Sequence, residues 1–296
     1  MRIFAISDLH VDNPQNRQWV RQLSRTDYRE DLVIVAGDIS DDVIRIQEVL
    51  QQLLERFARV AYVPGNHEMW IRKDFFSDSL QKFDRLLQLC QRMGIWTSPL
   101  LVGEQDAYPV WVVPLFSWYI KPEEGEGSLF LPKPGEDPTL RMWSDHYYVK
   151  WPFEARNGAA AHYFLKLNES AIEKEYRFPV ISFSHFLPRQ ELIFPENFDP
   201  EEARKRDRYP TFNFSRVAGC RQLDRQIRLM GAKIHIYGHQ HRNRDRIIQG
   251  VRYISYCLGY PGERENHHIH PAVQTPLLIW DTRTGEADSV VSQNHQ

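Results

Sequence analysis

The chain has 296 residues, 42% of them hydrophobic and 26% charged, and a formal net charge of -2. That is enough to bury a sizeable core, and the length fits one large α/β or all-β domain. The near-neutral balance excludes a whole-surface attraction to nucleic acid or acidic membranes, and three dispersed cysteines, Cys90, Cys220 and Cys257, exclude a disulfide framework or a CxxC zinc ribbon.

The opening MRIFAISDLH lacks the longer apolar run and cleavage site of a secretory leader. No stretch approaches the ~20 apolar residues of a membrane helix. The expected setting is therefore cytoplasmic and reducing. Short β-branched runs follow along the chain: RIFAIS (2–7), DLVIVAG (31–37), RVAYVPG (59–65), PVWVVPLFS (109–117), PVISFS (179–184), AKIHIYG (232–238), VRYISYCL (251–258) and TPLLIWD (275–281). Each has the length and composition of a strand. Between them, Val43, Ile46, Leu50, Leu53, Leu54 and Phe57 recur at steps of three and four, which predicts a helix over 41–58 with Ser40 as its N-cap. Leu80, Phe83, Leu87, Cys90 and Met93 predict another over 77–93, stopped by Gly94, with Cys90 as a buried thiol. A third is expected over 218–230, ended by Gly231. The alternation predicts an α/β architecture.

Two stretches break the pattern. Residues 118–157 are rich in Pro, Gly and Glu, then in aromatics, and 188–213 are similarly irregular. Within a single domain spanning 1–296, both read as insertions over the active site, the first either a cap or a mobile loop. Its cluster of Trp143, His146, Tyr147, Tyr148 and Trp151 would pack internally or stack on a base or sugar.

Polar residues concentrate at strand ends. RIFAIS runs into Asp8 and His10, DLVIVAG into Asp38, RVAYVPG into Asn66 and His67, PVISFS into His185, and AKIHIYG into His239 and His241. Taken singly, each has a plain structural reading. Asp8 or Asp38 would cap a helix, Asn66 would suit a turn, and His185 would be a satisfied core histidine. Taken together, five strands ending in one small set of residue types point to a ligand edge, because open α/β sheets bind at the carboxyl ends of their strands. Mixed oxygen and imidazole donors suit divalent manganese, iron, nickel or zinc. The donors are too many for one ion. Two ions ~3.5–4 Å apart, with a hydroxide between them attacking phosphorus in line, would use them all.

These blocks resemble the calcineurin-like metallophosphoesterases: D-x-H at Asp8 to His10, G-D at Gly37 and Asp38, G-N-H-E at Gly65 to Glu68, a lone His185, and G-H-x-H at Gly238 to His241. The resemblance implies one metal on Asp8, His10, Asp38 and His241, and another on Asp38, Asn66, His185 and His239, with Asp38 bridging. It implies that His67 stays unligated, either to protonate the leaving oxygen or to stabilise charge on the phosphoryl group. It also implies two packed mixed β-sheets flanked by helices, a four-layer sandwich whose second sheet the last two strands extend. GDISDDV departs from the G-D-x-x-D-R-G block of the family's phosphoprotein phosphatases. Asp41 matches its second carboxylate, expected to orient His67, while Asp42 and Val43 replace its arginine and glycine. Arg189 is then a candidate to grip phosphate, with a surface arginine as the alternative, and Tyr260 and Arg264, after a late strand, are candidates to line the pocket and meet the substrate. Arg242, Arg244 and Arg246 would share a strand face that either guides an anion or is merely solvated. HHIH (267–270) reads as a loop. Glu68 is left with no role beyond anchoring its turn.

The expected function is metal-dependent hydrolysis of a phosphomonoester or phosphodiester, with a small molecule or nucleotide as substrate. The alternatives are a nuclease and a catalytically inactive scaffold of the same fold. Oligomeric state is not legible.

Overall fold

The computed structural model describes residues 1–287 apart from 73–74, 153–157, 200, 202–206, 208, 267 and 270–272. The first three β-branched runs form β1 (Arg2–Ile6), β2 (Leu32–Ala36) and β3 (Arg59–Val63), which pair in parallel. The crossovers are α1 (Pro14–Gln22) and α2 (Val43–Leu54). After α3 (Ser79–Met93), a hairpin of β4 (Leu100–Val102) and β5 (Val110–Pro114) opens a second sheet.

The long irregular segment then carries α4 (Asp145–Tyr148), followed by α5 (Ala159–Leu167), α6 (Glu169–Ile172) and β6 (Val180–Phe183). Helix α7 (Arg221–Leu229) leads into β7 (Ala232–Tyr237), β8 (Arg244–Ile248) and β9 (Val251–Ser255). Last come α8 (Pro261–Glu265), β10 (Leu277–Asp281) and β11 (Gly285–Glu286). The sheet orders are β11-β10-β1-β2-β3 and β4-β5-β6-β7-β9-β8. Strands β5, β6, β7 and β9 are parallel, and β8 lies antiparallel at the edge.

Strand alternation builds the core. Ile34, Ala36 and Val63 of the first sheet share an apolar layer with Ile181, Phe183 and Ile236 of the second. The opposite face of the first sheet, Val33, Val35 and Tyr62 among it, packs on Ile46, Leu50 and Leu53 of α2. Two mixed sheets flanked by helices thus realise the expected fold, and all eight expected strands are present. No helix of the described residues is long and apolar enough to cross a membrane.

Three details differ from expectation. Only β9 joins the second sheet; β10 pairs antiparallel with β1 in the first. Spacing along the chain carries no information about which exposed sheet edge a late strand will find. The cap of α2 is Asp42, whose Oδ1 accepts from Ile44 N at 2.9 Å, while the Ser40 hydroxyl is given to Asp12. Helix α1 was not anticipated, because its polar sequence buries only Asn16 and Val20; Asn13 as N-cap and Pro14 in the first turn start it.

Candidate metal centre

Parallel pairing places the carboxyl ends of β1, β2, β3, β6 and β7 at one edge, and the loops that leave them are laced together. Asp8 N donates to Gly37 O at 3.0 Å, and His10 N to Asp38 O at 2.9 Å. Asp8, His10, Asp38, His239 and His241 all take left-handed backbone, with φ of 52°, 40°, 58°, 72° and 53°. Such positions cost about 1 kcal/mol or more each and persist only where the surroundings enforce them. A helix cap has extended backbone, so the plain capping reading of Asp8 and Asp38 does not fit.

Close packing permits the arrangement. A Cβ on Gly37, itself at φ +83°, would lie 2.5 Å from His185 Nδ1, and one on Gly65 would collide with Asp38 Oδ1. These glycines let the turns approach the site.

The expected metal-binding residues fall into two groups that share Asp38. In the first, one donor atom each of Asp8, His10, Asp38 and His241 lies within 4.8 Å of the others; in the second, the same holds for Asp38, His185 and His239. Asn66 joins the second group, its Oδ1 lying 3.1 Å from His185 Nε2 and 3.0 Å from His239 Nδ1. His10 Nε2 and His241 Nε2 are 2.8 Å apart. The outward nitrogens of three rings meet acceptors: His185 Nδ1 meets Ala36 O at 2.9 Å, His239 Nε2 meets Val217 O at 2.9 Å, and His241 Nδ1 meets Glu263 Oε2 at 2.7 Å. An acceptor there requires an N–H, so in the neutral form each ring turns its lone pair inward. That tautomer suits a metal ligand. The donor chemistry therefore fits divalent first-row ions in both groups.

The electrostatics call for positive charge between the two groups. Burial alone would raise the Asp38 pKa, but His185, His67 and His10 hold it well below the usual carboxylate range. Burial disfavours a charged His185, yet Asp38, at 3.4 Å, lifts its pKa to about 9, so at neutral pH its inward Nε2 holds a proton that a bound cation must displace. Glu68 is fully buried and accepts from Asp38 N at 3.0 Å, Ile39 N at 2.6 Å and Gly65 N at 2.7 Å. It therefore ties the β2 and β3 turns together.

His67 belongs to neither donor group. Its backbone N–H donates to Asp38 Oδ1 at 3.0 Å, and its ring lies on Trp70 with centroids 3.7 Å apart. Burial lowers its pKa, so the ring is neutral at neutral pH. It faces a cavity of about 270 Å³ walled by Trp70, Met142, Trp143, Phe214 and Tyr260.

The remaining candidates are placed elsewhere. The Asp41 carboxylate, expected to orient His67, accepts from Arg72 at 3.1 Å instead; the turn at 40–42 aims it at that guanidinium. Arg189 is taken by Asp224 at 2.9 Å and Glu191 at 2.5 Å, so its charge is already matched away from the cavity. Arg264 donates to Leu258 O, Gly259 O and Asn16 Oδ1, which fixes the loop after β9. Neither arginine lines the cavity. Arg244 and Arg246 reach back to Leu192 O and Glu191 O, holding the 190–194 segment rather than guiding an anion. Of HHIH, positions 267 and 270 lie outside the described residues, and Ile269 is buried. Of the aromatic cluster, Trp143 stacks on Phe212 and meets His239 edge-on, whereas Trp151 packs on Trp118. Tyr260 stacks on His10, centroids 4.4 Å apart. Two residues escaped the sequence reading: Glu263, behind His241, and Asp145, which accepts from Asn66 Nδ2 at 2.9 Å. Neither sits in a strand-end pattern; the only signal was their place in segments rich in aromatics or turns.

The chain is similar in sequence and in fold to known proteins. Residues 1–243 match the profile of the calcineurin-like phosphoesterase family. A Mycobacterium tuberculosis protein named [acyl-carrier-protein] phosphodiesterase PptH is 26% identical over 276 residues, covering 88% of this chain and 78% of that protein. The crystal structure of phosphopantetheinyl hydrolase PptH from the same organism superposes with a TM-score of 0.72 at 24% identity, covering 95% of this chain and 96% of that one. A structure from Thermus thermophilus is more distant, with a TM-score of 0.43 at 12% identity over 86% of this chain and 88% of that one. With its family profile spanning the strand-end residues, the chain belongs to the calcineurin-like phosphoesterases, enzymes that hydrolyse phosphoric esters.

Proposed function

We propose that this enzyme is a phosphodiesterase that uses two divalent ions and acts on the phosphopantetheinyl ester of an acyl carrier protein, the substrate named for its M. tuberculosis relative. One observation carries the diester preference. Among the described residues lining the cavity there is no Lys or Arg, while Trp70, Met142, Trp143, Phe214 and Tyr260 form its walls. A terminal phosphomonoester is a dianion and asks for a cationic grip beyond the metals. A diester carries one negative charge and two organic arms, which suit an aromatic and apolar wall.

Asp8, His10, Asp38 and His241 would hold one ion, and Asp38, Asn66, His185 and His239 the other. When bound, manganese, iron, zinc or nickel supplies Lewis acidity, which lets water ionise near neutral pH and offsets charge on phosphoryl oxygens. Asp38 bridges the groups, and the backbone N–H of His67 holds its Oδ1. The carbonyls and Glu263 behind the imidazoles keep their lone pairs inward. His67, neutral at working pH and braced on Trp70, donates a hydrogen bond to the phosphoryl or leaving oxygen as charge builds there. We assign the described part of the 118–157 segment, residues 118–152, as a cap, since Met142 and Trp143 reach the cavity from it. A reducing cytoplasm suits the three buried free thiols.

The test is a substrate panel with defined metal: holo acyl carrier protein read by mass spectrometry, an aryl phosphodiester, the matching aryl monoester, nucleotides and single-stranded nucleic acid. The expected result is loss of the phosphopantetheinyl mass from the carrier protein and faster turnover of diester than monoester. Preference for the monoester, or for nucleic acid with a steep salt dependence, would overturn the proposal.

A further inference from the structure

We propose that Asp145 is a positioning residue that fixes the amide of Asn66 and thereby ties the segment above the cavity to the second donor group. The inference rests on the two-ion reading given above. Asp145 opens α4, is buried, and reaches Asn66 across 79 positions of sequence. Its Oδ1 accepts from Asn66 Nδ2 at 2.9 Å and from Trp70 Nε1 at 2.6 Å. Its Oδ2 accepts from Trp143 Nε1 at 2.9 Å. One carboxylate therefore holds three side chains with distinct duties: a donor of the second group, the ring that braces His67, and a wall of the cavity.

The chemistry of the amide makes the first contact decisive. Asn66 presents oxygen and nitrogen from one carbon, and only the oxygen has a lone pair for a cation. A carboxylate can only accept. By taking Nδ2, it forces Oδ1 towards His185 and His239, where it lies at 3.1 and 3.0 Å. An acceptor-only partner cannot be met by the flipped amide, so the flipped state is excluded. With an amide in place of the carboxylate at position 145, a flipped Asn66 would find a donor, and its own NH2 would face the second group. The same carboxylate holds Trp143, which stands 5.6 Å from His239, centroid to centroid. A substrate arm pressing on Trp143 would thus act on the group that orients Asn66.

The experiment compares wild type, Asp145→Asn and the swapped double variant Asp145→Asn with Asn66→Asp, each stripped by chelator and titrated with Mn²⁺ by calorimetry. Wild type should take up two ions. Asp145→Asn should keep one at near wild-type affinity and bind the other about 10- to 100-fold more weakly, the usual cost of losing a partner behind a metal ligand. The swap should recover much of that loss, since a carboxylate at position 66 offers oxygen either way and an amide at position 145 can donate to it. A general packing role for Asp145 would not be rescued by the swap. Unchanged two-ion binding by folded Asp145→Asn, or a swap no better than the single variant, would overturn the inference. If Asp145→Asn does not fold, the swap is judged alone, and uptake of only one ion counts against it. Wild type taking up a single ion would remove the two-ion reading, and this inference with it.

Discussion

The strand-end centre and the segment lying over it are built by opposite means. In the centre, side chains are aimed by backbone: five donors sit in left-handed turns, and glycines leave room for His185 and Asp38. Above it, from 118 to 152, aim comes from side-chain partners. Trp143 and Trp70 are held by Asp145, and Trp118 packs among Trp151 and Phe186. Backbone-built geometry leaves short, local marks such as G-D or G-N-H. Partner-built geometry does not, because its contacts join residues far apart in sequence. The difference also divides the chemistry, with ion binding below and substrate shape above.

The sharpest way to break this division is at Asp38, the carboxylate both donor groups share. Asp38→Asn should remove at least one ion and lower turnover by roughly 1000-fold or more, the several kcal/mol a Lewis acid supplies. Elemental analysis beside an activity assay checks it; full metal content with lost activity would mean that Asp38 is not a ligand. His67→Ala tests the boundary, since this ring touches both regions. It should keep both ions and lose roughly 100- to 1000-fold in kcat, the range of a lost proton or hydrogen-bond donor. Metal loss in that variant would place His67 inside the centre. Glu263, like Asp145 behind Asn66, is an exception within the centre, a partner-built contact to His241 at 2.7 Å. Glu263→Gln should weaken metal binding about 10- to 100-fold, measured by Mn²⁺ titration, with kcat restored at saturating metal. An unchanged affinity would show that the turn alone orients His241.

Legibility in the sequence followed the same line. All eight expected strands exist, and the donors expected at their ends lie together, because the β-branched runs and the residues after them are local patterns. The misplaced candidates were those argued from neighbours in sequence. Asp41 was matched to His67 by motif position but meets Arg72. Arg189 is a cation near a motif and Arg264 a residue just past a late strand, but they are held by Asp224 and by loop carbonyls. Asp145 and Glu263 passed unnoticed because a carboxylate away from a strand end looks like any solvated one until the fold buries it, as with Asp145, or sets it behind a ring, as with Glu263. The pairing of β10 with β1 was equally hidden, since either sheet had an edge to receive it.

Two histidines four positions apart sharpen the comparison most finely, at the smallest cost to the molecule. His235 and His239 are both buried, on and just past β7, and burial pulls the pKa of each down to about 3. His239 turns a lone pair towards Asn66 and the second group. His235 instead meets Ser182 Oγ at 2.9 Å and Ser184 Oγ at 3.1 Å, a self-contained polar cluster with no donor left for an ion. In the unfolded chain His235 titrates near 6.5. Above that pH both states are neutral and stability is full. Below it, the unfolded chain gains a proton that the folded chain refuses until about pH 3. Stability should therefore fall with acid through this window. The loss attributable to His235 is about 1.4 kcal/mol on going from pH 7.5 to 5.5. Urea unfolding of the chelator-treated protein at the two pH values, set against His235→Gln, isolates that share from the histidines of the centre. A variant with the same pH slope as wild type would mean that the unfolding proton is taken up by the donor histidines alone.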